Sequence, residues 1–383
     1  MTEPAPASEF MTRALELARD MAGRASPNPT VGAVVVKDGR IVGEGRFEGR
    51  GTPHAEAAAL AAAGEAARAA TLYVTLEPCS HQGRTPPCTD AIERAGVAEV
   101  RFSHIDPDTR VSGKGRAQLE EAGVRVVVGD GEAEARRINE AYLKHRSTGR
   151  PFVIAKFAAS LDGKIAATSG DSNWVSGPQA RAWAHCLRTR IDAIAVGVNT
   201  VLVDDPQLTA RPQDAGGRDL PVERQPLRVI VDSRGRTPRE AKALGCAGSA
   251  GAGGRPTLVA TTEASPGGWR RGIEEAGARV ALLPADEAGR VGLPALLELL
   301  GESDTLSLLV EGGGVLLGSF FDQGLVDKVH AVIAPVIIGG ATAPAAVAGR
   351  GAGRMADALR LEEVTIEQLG SDLLVTGYPP AGA

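Results

Sequence analysis

TLYVTLEPCSHQGRTPPC spans residues 71–88. Its first six residues read as a buried strand, and its end runs into TDAIERAG (89–96), a short helix closed by glycine. Strand, polar loop and helix in that order form the repeating unit of α/β architecture. The loop holds Cys79 and Cys88, two of four cysteines in 383 residues, each preceded by proline. Such a pair has three uses: a disulfide, ordinary packing, or a metal.

The flanking sequence repeats the pattern. Residues 10–23 carry helical spacing, and TVGAVVVKDGRIVGEG (30–45) is a hairpin signal centred on Asp38-Gly39. HAEAAALAAA (54–63) is made of helix formers, VAEVRFS and VRVVVG are strands, and AQLEEAG is a helix. The alternation predicts parallel strands with crossover helices. A polar boundary, RSTGRP, lies at 146–151, and a second strand series starts at PFVIAKFAAS and continues through DAIAVGV, LRVIVDS, PTLVATT, ARVALLP, LSLLVEG and KVHAVIAPVIIG. Segments 211–226, 241–255 and 341–356 read as surface loops. The expectation is two α/β domains, residues 1–146 and 150–383.

Composition narrows the function. Hydrophobic residues make up 43% of the chain and charged residues 23%, as in a globular protein with ample core. No apolar run approaches the roughly 20 residues of a membrane-spanning helix, and MTEPAPASEF lacks a secretory signal pattern. So few cysteines point away from a disulfide framework and toward a reducing cytoplasm. A net charge of −5 and 3% aromatics argue against nucleic acid and for a small-molecule substrate.

A metal needs further ligands. His54, at a predicted helix start within PHAE, has Glu56 two residues on. An H-x-E pairing followed by a later P-C…C pair is the pattern of zinc deaminases, in which the Glu moves protons and is not a ligand. The expected metal ligands are therefore His54, Cys79 and Cys88, with Glu56 catalytic; His81, between the cysteines, is an alternative to His54. Cys186 and Cys246 lie far away in sequence.

Eight residues separate the two cysteines, in place of the usual two. With that spacing, EPCSHQGRTPPC, SPNPTVGAVVV and PHAE resemble the deaminase half of the bifunctional riboflavin-biosynthesis deaminase/reductase family. KFAASLDGKIA, SNWVSGPQAR, LRTRIDAIAVGVNTVLVDDPQLTAR, VEGGGVLLGSFF, GLVDKV and APVIIGG resemble its reductase half. The resemblance implies a cytidine-deaminase-like three-layer α/β/α domain followed by a dihydrofolate-reductase-like α/β domain. It implies zinc and NADPH as cofactors and a pyrimidine ribosyl phosphate as substrate. It also implies self-association into a homo-oligomer, with no membrane or nucleic-acid partner.

Carried over by position, the resemblance assigns NADPH to Ala158, Trp174, Ser176, Thr200, Asp204, Ser233 and the run Gly313, Gly314, Val315, Leu316, Leu317, Gly318 and Ser319. It assigns the ribose phosphate to Ser172, Arg188, Leu208, Arg211 and Glu311. Ser233, Arg234 and Arg236 are candidates for reading the NADPH 2′-phosphate, and Asp162 is expected to fix a turn. The chain departs from the family pattern in three places and keeps to it at a fourth. Phe47 replaces a histidine, Asp106-Pro107-Asp108-Thr109 replaces DPNP, Gly370-Ser371-Asp372 replaces GDD, and Arg84 stands where Lys or Arg is usual. Two other readings remain open at this stage: a reductase whose zinc domain is only structural, and a nucleic-acid-binding protein.

Overall fold

The computed structural model describes residues 7–83, 86–213, 217–245 and 256–380. Arg84 and Cys246 lie outside them. The chain divides into two compact units, residues 1–149 and 150–383.

In the first unit the helices are α1 (Glu9–Arg19), α2 (Ala55–Ala63), α3 (Cys88–Ala95), α4 (Lys114–Glu121), α5 (Glu132–Ile138) and α6 (Glu140–Thr148). The strands are β1 (Gly32–Lys37), β2 (Arg40–Arg46), β3 (Thr71–Val74), β4 (Glu99–Phe102) and β5 (Arg125–Val128), in the order β2-β1-β3-β4-β5. The β1–β2 hairpin turns at Asp38 and Gly39, with φ of 49° and 71°; two residues at positive φ match the right-handed twist of the strands they join. Strands alternate their side chains between faces. Ala33 and Val35 enter one core with Ala55, Ala59 and Ile92, while Val34 and Val36 enter another with Met11 and Leu15 of α1. Three layers follow from that alternation. The parallel expectation holds for β3, β4 and β5 but not for β1, which is antiparallel to both β2 and β3. A tight hairpin reverses the chain, and α2 then returns it to the far side of β1.

The second unit contains β6 (Phe152–Ser160), α7 (Pro178–Arg188), β7 (Ala193–Gly197), α8 (Val198–Asp204), β8 (Leu227–Val231), α9 (Lys242–Gly245), β9 (Leu258–Thr261), α10 (Gly267–Glu275), β10 (Arg279–Leu282), α11 (Leu293–Glu302), β11 (Ser307–Glu311), α12 (Gly314–Asp322), β12 (Lys328–Ala334), β13 (Glu362–Leu369) and β14 (Asp372–Tyr378). Its sheet runs β10-β9-β8-β7-β11-β6-β12-β14-β13. All neighbours are parallel except β14, which is antiparallel to β12 and β13. Val229, Leu296, Leu308, Val310 and Phe320 belong to its largest core cluster, which accounts for the apolar character of these parallel strands. The sequence analysis identified no strand in β13 or β14. Among the described residues, no helix is long and apolar enough to cross a membrane.

Candidate functional site

In the first unit the candidate metal site lies beyond the carboxyl end of β3. His54 is the N-cap residue of α2, Cys79 follows β3 by five residues, and Cys88 is the first residue of α3. The imidazole Nδ1 of His54 lies 3.2 Å from Cys88 Sγ and 3.6 Å from Cys79 Sγ. All three donor atoms fall within 4.8 Å of one another. Bonds of about 2.0–2.3 Å to a tetrahedral zinc place neighbouring donors about 3.5–3.8 Å apart, so the three fit that ion. The donor set of one imidazole and two thiols also suits it. His81 is not part of the group.

Electrostatics favour deprotonated sulfur at one position. Hydrogen bonding from the Cys88 thiol holds Cys79 down to about 4, with His54 adding to the effect. The backbone N–H of Cys88, at the start of α3, also points to Cys79 Sγ at 3.5 Å. Glu56 sits in the first turn of α2 with 4% of its surface exposed, and burial pushes its carboxyl up to about 7. Phe47 is buried against His54, edge to face, with ring centroids 5.5 Å apart.

Sequence reasoning missed the residue that fixes this loop. Glu77 is buried and accepts three backbone N–H groups, from Asp106 at 3.2 Å, Gly113 at 2.9 Å and Arg116 at 3.1 Å. It ties the segment two residues before Cys79 to the loop that leads into α4 and to the first turn of that helix. The substituted Asp108 does not carry an open charge. Arg110 grips it through Nε and Nη2, the latter at 2.6 Å, and holds its carboxyl down to about 2.

In the second unit Ala158, Thr200, Ser233, Glu311 and Gly313 lie at or just past the carboxyl ends of β6, β7, β8 and β11, where open α/β sheets bind ligands, while Ser172, Trp174 and Ser176 precede α7, Arg188 ends it, and Leu208 and Arg211 follow α8. A cavity of about 450 Å³ opens over β7, β8 and the turn after β11. Thr200, Ser233, Gly313, Val315, Leu316 and Ser319 line it. Gly314, Leu317 and Gly318 do not, because a seven-residue run that enters a helix cannot present every side to one ligand. Leu317 packs into the core, and Gly318 abuts the Ala348 carbonyl. Ala158 lies on β6, paired with Val332 of β12, two residues past the last β6–β11 pair, Lys156 with Glu311. Trp174 is 72% exposed with the Arg181 guanidinium 4.6 Å over its ring, and Arg181 also donates to the Ser176 carbonyl at 2.6 Å.

The residues assigned to the ribose phosphate fall into two hydrogen-bonded sets, Ser172 with Asp204 of the NADPH set, and Arg188 with Glu311 and, through Thr209, Arg211. Ser172 donates to Asp204 at 3.2 Å. Arg188 pairs with Glu311 through Nε and Nη2 and donates to the Thr209 carbonyl at 3.1 Å. Arg211 donates through its guanidinium to Thr209 at 2.6 Å and through its backbone N–H to His185 at 3.2 Å. Leu208 is buried between them in sequence, at φ 54°. Burial pushes Glu311 up, but Arg188 and Lys156 outweigh it and the carboxyl is held below its ordinary value. Lys156, which sequence reasoning did not single out, lies 3.6 Å from Glu311 Oε1, an oxygen with no hydrogen-bond partner among the described residues. Asp162 fixes a turn as expected, accepting from Ser160, Ile338 and Gly339.

Comparison with known proteins agrees with both units. Residues 151–375 match the RibD C-terminal domain, and residues 5–104 match the cytidine and deoxycytidylate deaminase zinc-binding region. The chain is 41% identical over 366 residues to a riboflavin biosynthesis protein RibD of Aquifex aeolicus, covering 96% of each chain. Among solved structures it is similar to Acinetobacter baumannii RibD, with TM-score 0.83, 36% identity and coverage of 97% of this chain and 98% of that one. It is also similar to a diaminohydroxyphosphoribosylaminopyrimidine deaminase/5-amino-6-(5-phosphoribosylamino)uracil reductase of Thermotoga maritima, with TM-score 0.79, 35% identity and 97% of each chain covered.

Proposed function

The chain belongs to the RibD family, and from that premise we propose a division of labour and a role for each site residue. The protein is a bifunctional enzyme of riboflavin biosynthesis, a zinc-dependent deaminase joined to an NADPH-dependent reductase, with cytidine-deaminase-like and dihydrofolate-reductase-like folds. Residues 1–146 act first, on 2,5-diamino-6-(5-phosphoribosylamino)pyrimidin-4-one. Residues 150–383 then reduce the deaminated product to 5-amino-6-(5-phosphoribitylamino)uracil.

His54, Cys79 and Cys88 hold the zinc. Bound there, the ion supplies Lewis acidity and brings the pKa of a coordinated water to about 7. Glu56, buried two residues beyond His54 on the same helix, takes a proton from the attacking water and returns it to the leaving amine, and ammonia departs. The pairing of Asp108 with Arg110 removes the repulsion that a free carboxylate would direct at a substrate phosphate.

In the reductase, NADPH supplies a hydride to C1′ of the ribose. Thr200, Ser233 and the Gly313–Ser319 segment hold the cofactor, together with Ala158, Trp174, Ser176 and Asp204. Ser172, Leu208, Arg188, Arg211 and Glu311 hold the ribose phosphate. The protein's part in this step is orientation of the two reacting carbons. The scarcity of cysteines, with none in a disulfide among the described residues, supports residence in a reducing cytoplasm. The exposed edge strand β13, with Val364 and Ile366 at 49% and 65% on one face, supports association of the reductase unit with further copies.

The observation that carries the deaminase reading is one imidazole nitrogen meeting two sulfurs with a buried carboxylate close by in the chain. Its test follows ammonia and NADPH separately. Glu56→Gln is expected to lose ammonia release while retaining NADPH oxidation on the deaminated intermediate. Wild-type deamination by that variant overturns the assignment.

A further inference from the structure

We propose that Arg234, Arg236 and Arg290 form one phosphate-reading subsite that takes the 2′-phosphate of the reductase cofactor and sets its preference for NADPH over NADH. The inference rests on the reading of the 450 Å³ cavity as the cofactor cleft. It adds Arg290, from a distant part of the chain, and gives the three side chains a common task.

Two carboxylate-tied turns deliver these arginines to the cavity. The first spans Asp232 to Thr237. Asp232 is fully buried and accepts N–H groups from Gly235, Arg236 and Thr237 and the Thr237 hydroxyl, at 2.6–3.1 Å. Gly235 has φ 75°, and a Cβ there would meet the Trp269 ring at 2.9 Å, so glycine is required between the two arginines. Trp269 is itself pinned by its Nε1–H to the Thr237 carbonyl at 2.9 Å. The second turn spans Asp286 to Arg290. Asp286 Oδ1 accepts from Ala288 at 2.9 Å and Arg290 at 2.8 Å, and the backbone closes with Asp286 N–H to Arg290 O at 2.7 Å. A bond from Val291 N–H to the Ser233 hydroxyl, at 3.0 Å, joins the two turns.

The charges are uncompensated. Arg236 rests on the Asn199 amide oxygen at 3.0 Å and Arg290 on the Ser319 hydroxyl at 3.2 Å, both neutral acceptors. None of the three forms an ion pair with a carboxylate among the described residues, whereas Arg188 in the neighbouring group is committed to Glu311. Scattered surface arginines would not line one cavity from two rigid, mutually bonded turns. Three guanidinium groups aimed at one space suit a doubly charged monoester, which each grips by paired N–H donors. The Gly313 turn and the start of α12, which lie across the same cavity, remain for the pyrophosphate.

The test is isothermal titration of the zinc-loaded full-length protein with NADP⁺ and with NAD⁺, on wild type and on R234A, R236A and R290A. All three side chains are exposed, and circular dichroism checks that each variant is folded. Each substitution is expected to weaken NADP⁺ about 10- to 100-fold, the loss typical of a hydrogen bond to a charged group, and to leave NAD⁺ affinity unchanged. The NADP⁺ preference of wild type should also shrink as salt is raised. Equal losses for both nucleotides would place the arginines on the pyrophosphate and overturn the proposal, as would unchanged NADP⁺ affinity in all three variants. Wild type that binds neither nucleotide would defeat the cofactor-cleft reading itself, a failure distinct from either.

Discussion

Glu77 provides the sharpest test of how the fold holds the metal site. Its carboxylate is buried and satisfies three backbone N–H groups, two on Oε2 and one on Oε1. Hydrogen bonds to a charged group are each worth about 1.5–3 kcal/mol, and a stranded buried donor costs about 1–3 kcal/mol. Two of the three bonds are only partly buried, so water replaces some of the loss in Glu77→Ala, and the expected cost is about 3 kcal/mol. Glu77→Gln keeps one oxygen, enough for Asp106 and Gly113, but turns an NH₂ toward the Arg116 N–H; the expected cost is about 1.5 kcal/mol. Because the tie lies two residues before Cys79, the same loss should speed release of zinc. Urea unfolding of the deaminase unit, read with the rate of zinc transfer to a chromogenic chelator, checks both effects. If Glu77→Gln matches wild type in stability and in zinc release, the carboxylate does not anchor this loop and the reasoning fails.

Three further outcomes are expected. Removal of zinc by a chelator should abolish ammonia release yet leave NADPH oxidation on the deaminated intermediate intact; parallel loss of both activities would contradict separate sites. Phe47→Ala removes the edge-to-face contact on His54 and should weaken zinc binding by about 0.5–1.5 kcal/mol, measured by competition with a chelator of known affinity. Asp108→Asn should cost about 1 kcal/mol once solvent screening by its exposed partner Arg110 is allowed for. Because the Asp108 carboxyl is lowered from 3.8 to about 2 in the folded chain, that contribution is present above pH about 4 and lost as pH falls through about 2. The stability difference between variant and wild type should close over that window in acid denaturation curves.

Local chemistry is written in short stretches of the chain, and there the sequence was legible. Asp38-Gly39 announced its hairpin, the glycine after β11 its turn into α12, and His54, Cys79 and Cys88 their grouping of donor atoms, because each signal depends on neighbours in sequence or on the limited ways to surround a zinc ion. β13 went unrecognised because EEVTIEQL is an exposed edge strand with no buried stripe to mark it. The antiparallel setting of β1 was likewise hidden, since strand direction depends on where α2 returns the chain. Only the tertiary structure decided that Glu77 would clamp residues 29 to 39 positions away, that Arg188 would be engaged by Glu311, and that Arg290 would join Arg234 and Arg236 at one cavity. Each of these rests on partners separated by long loops, and closing such loops is the work of whole-domain packing, of which no local window of sequence carries a trace.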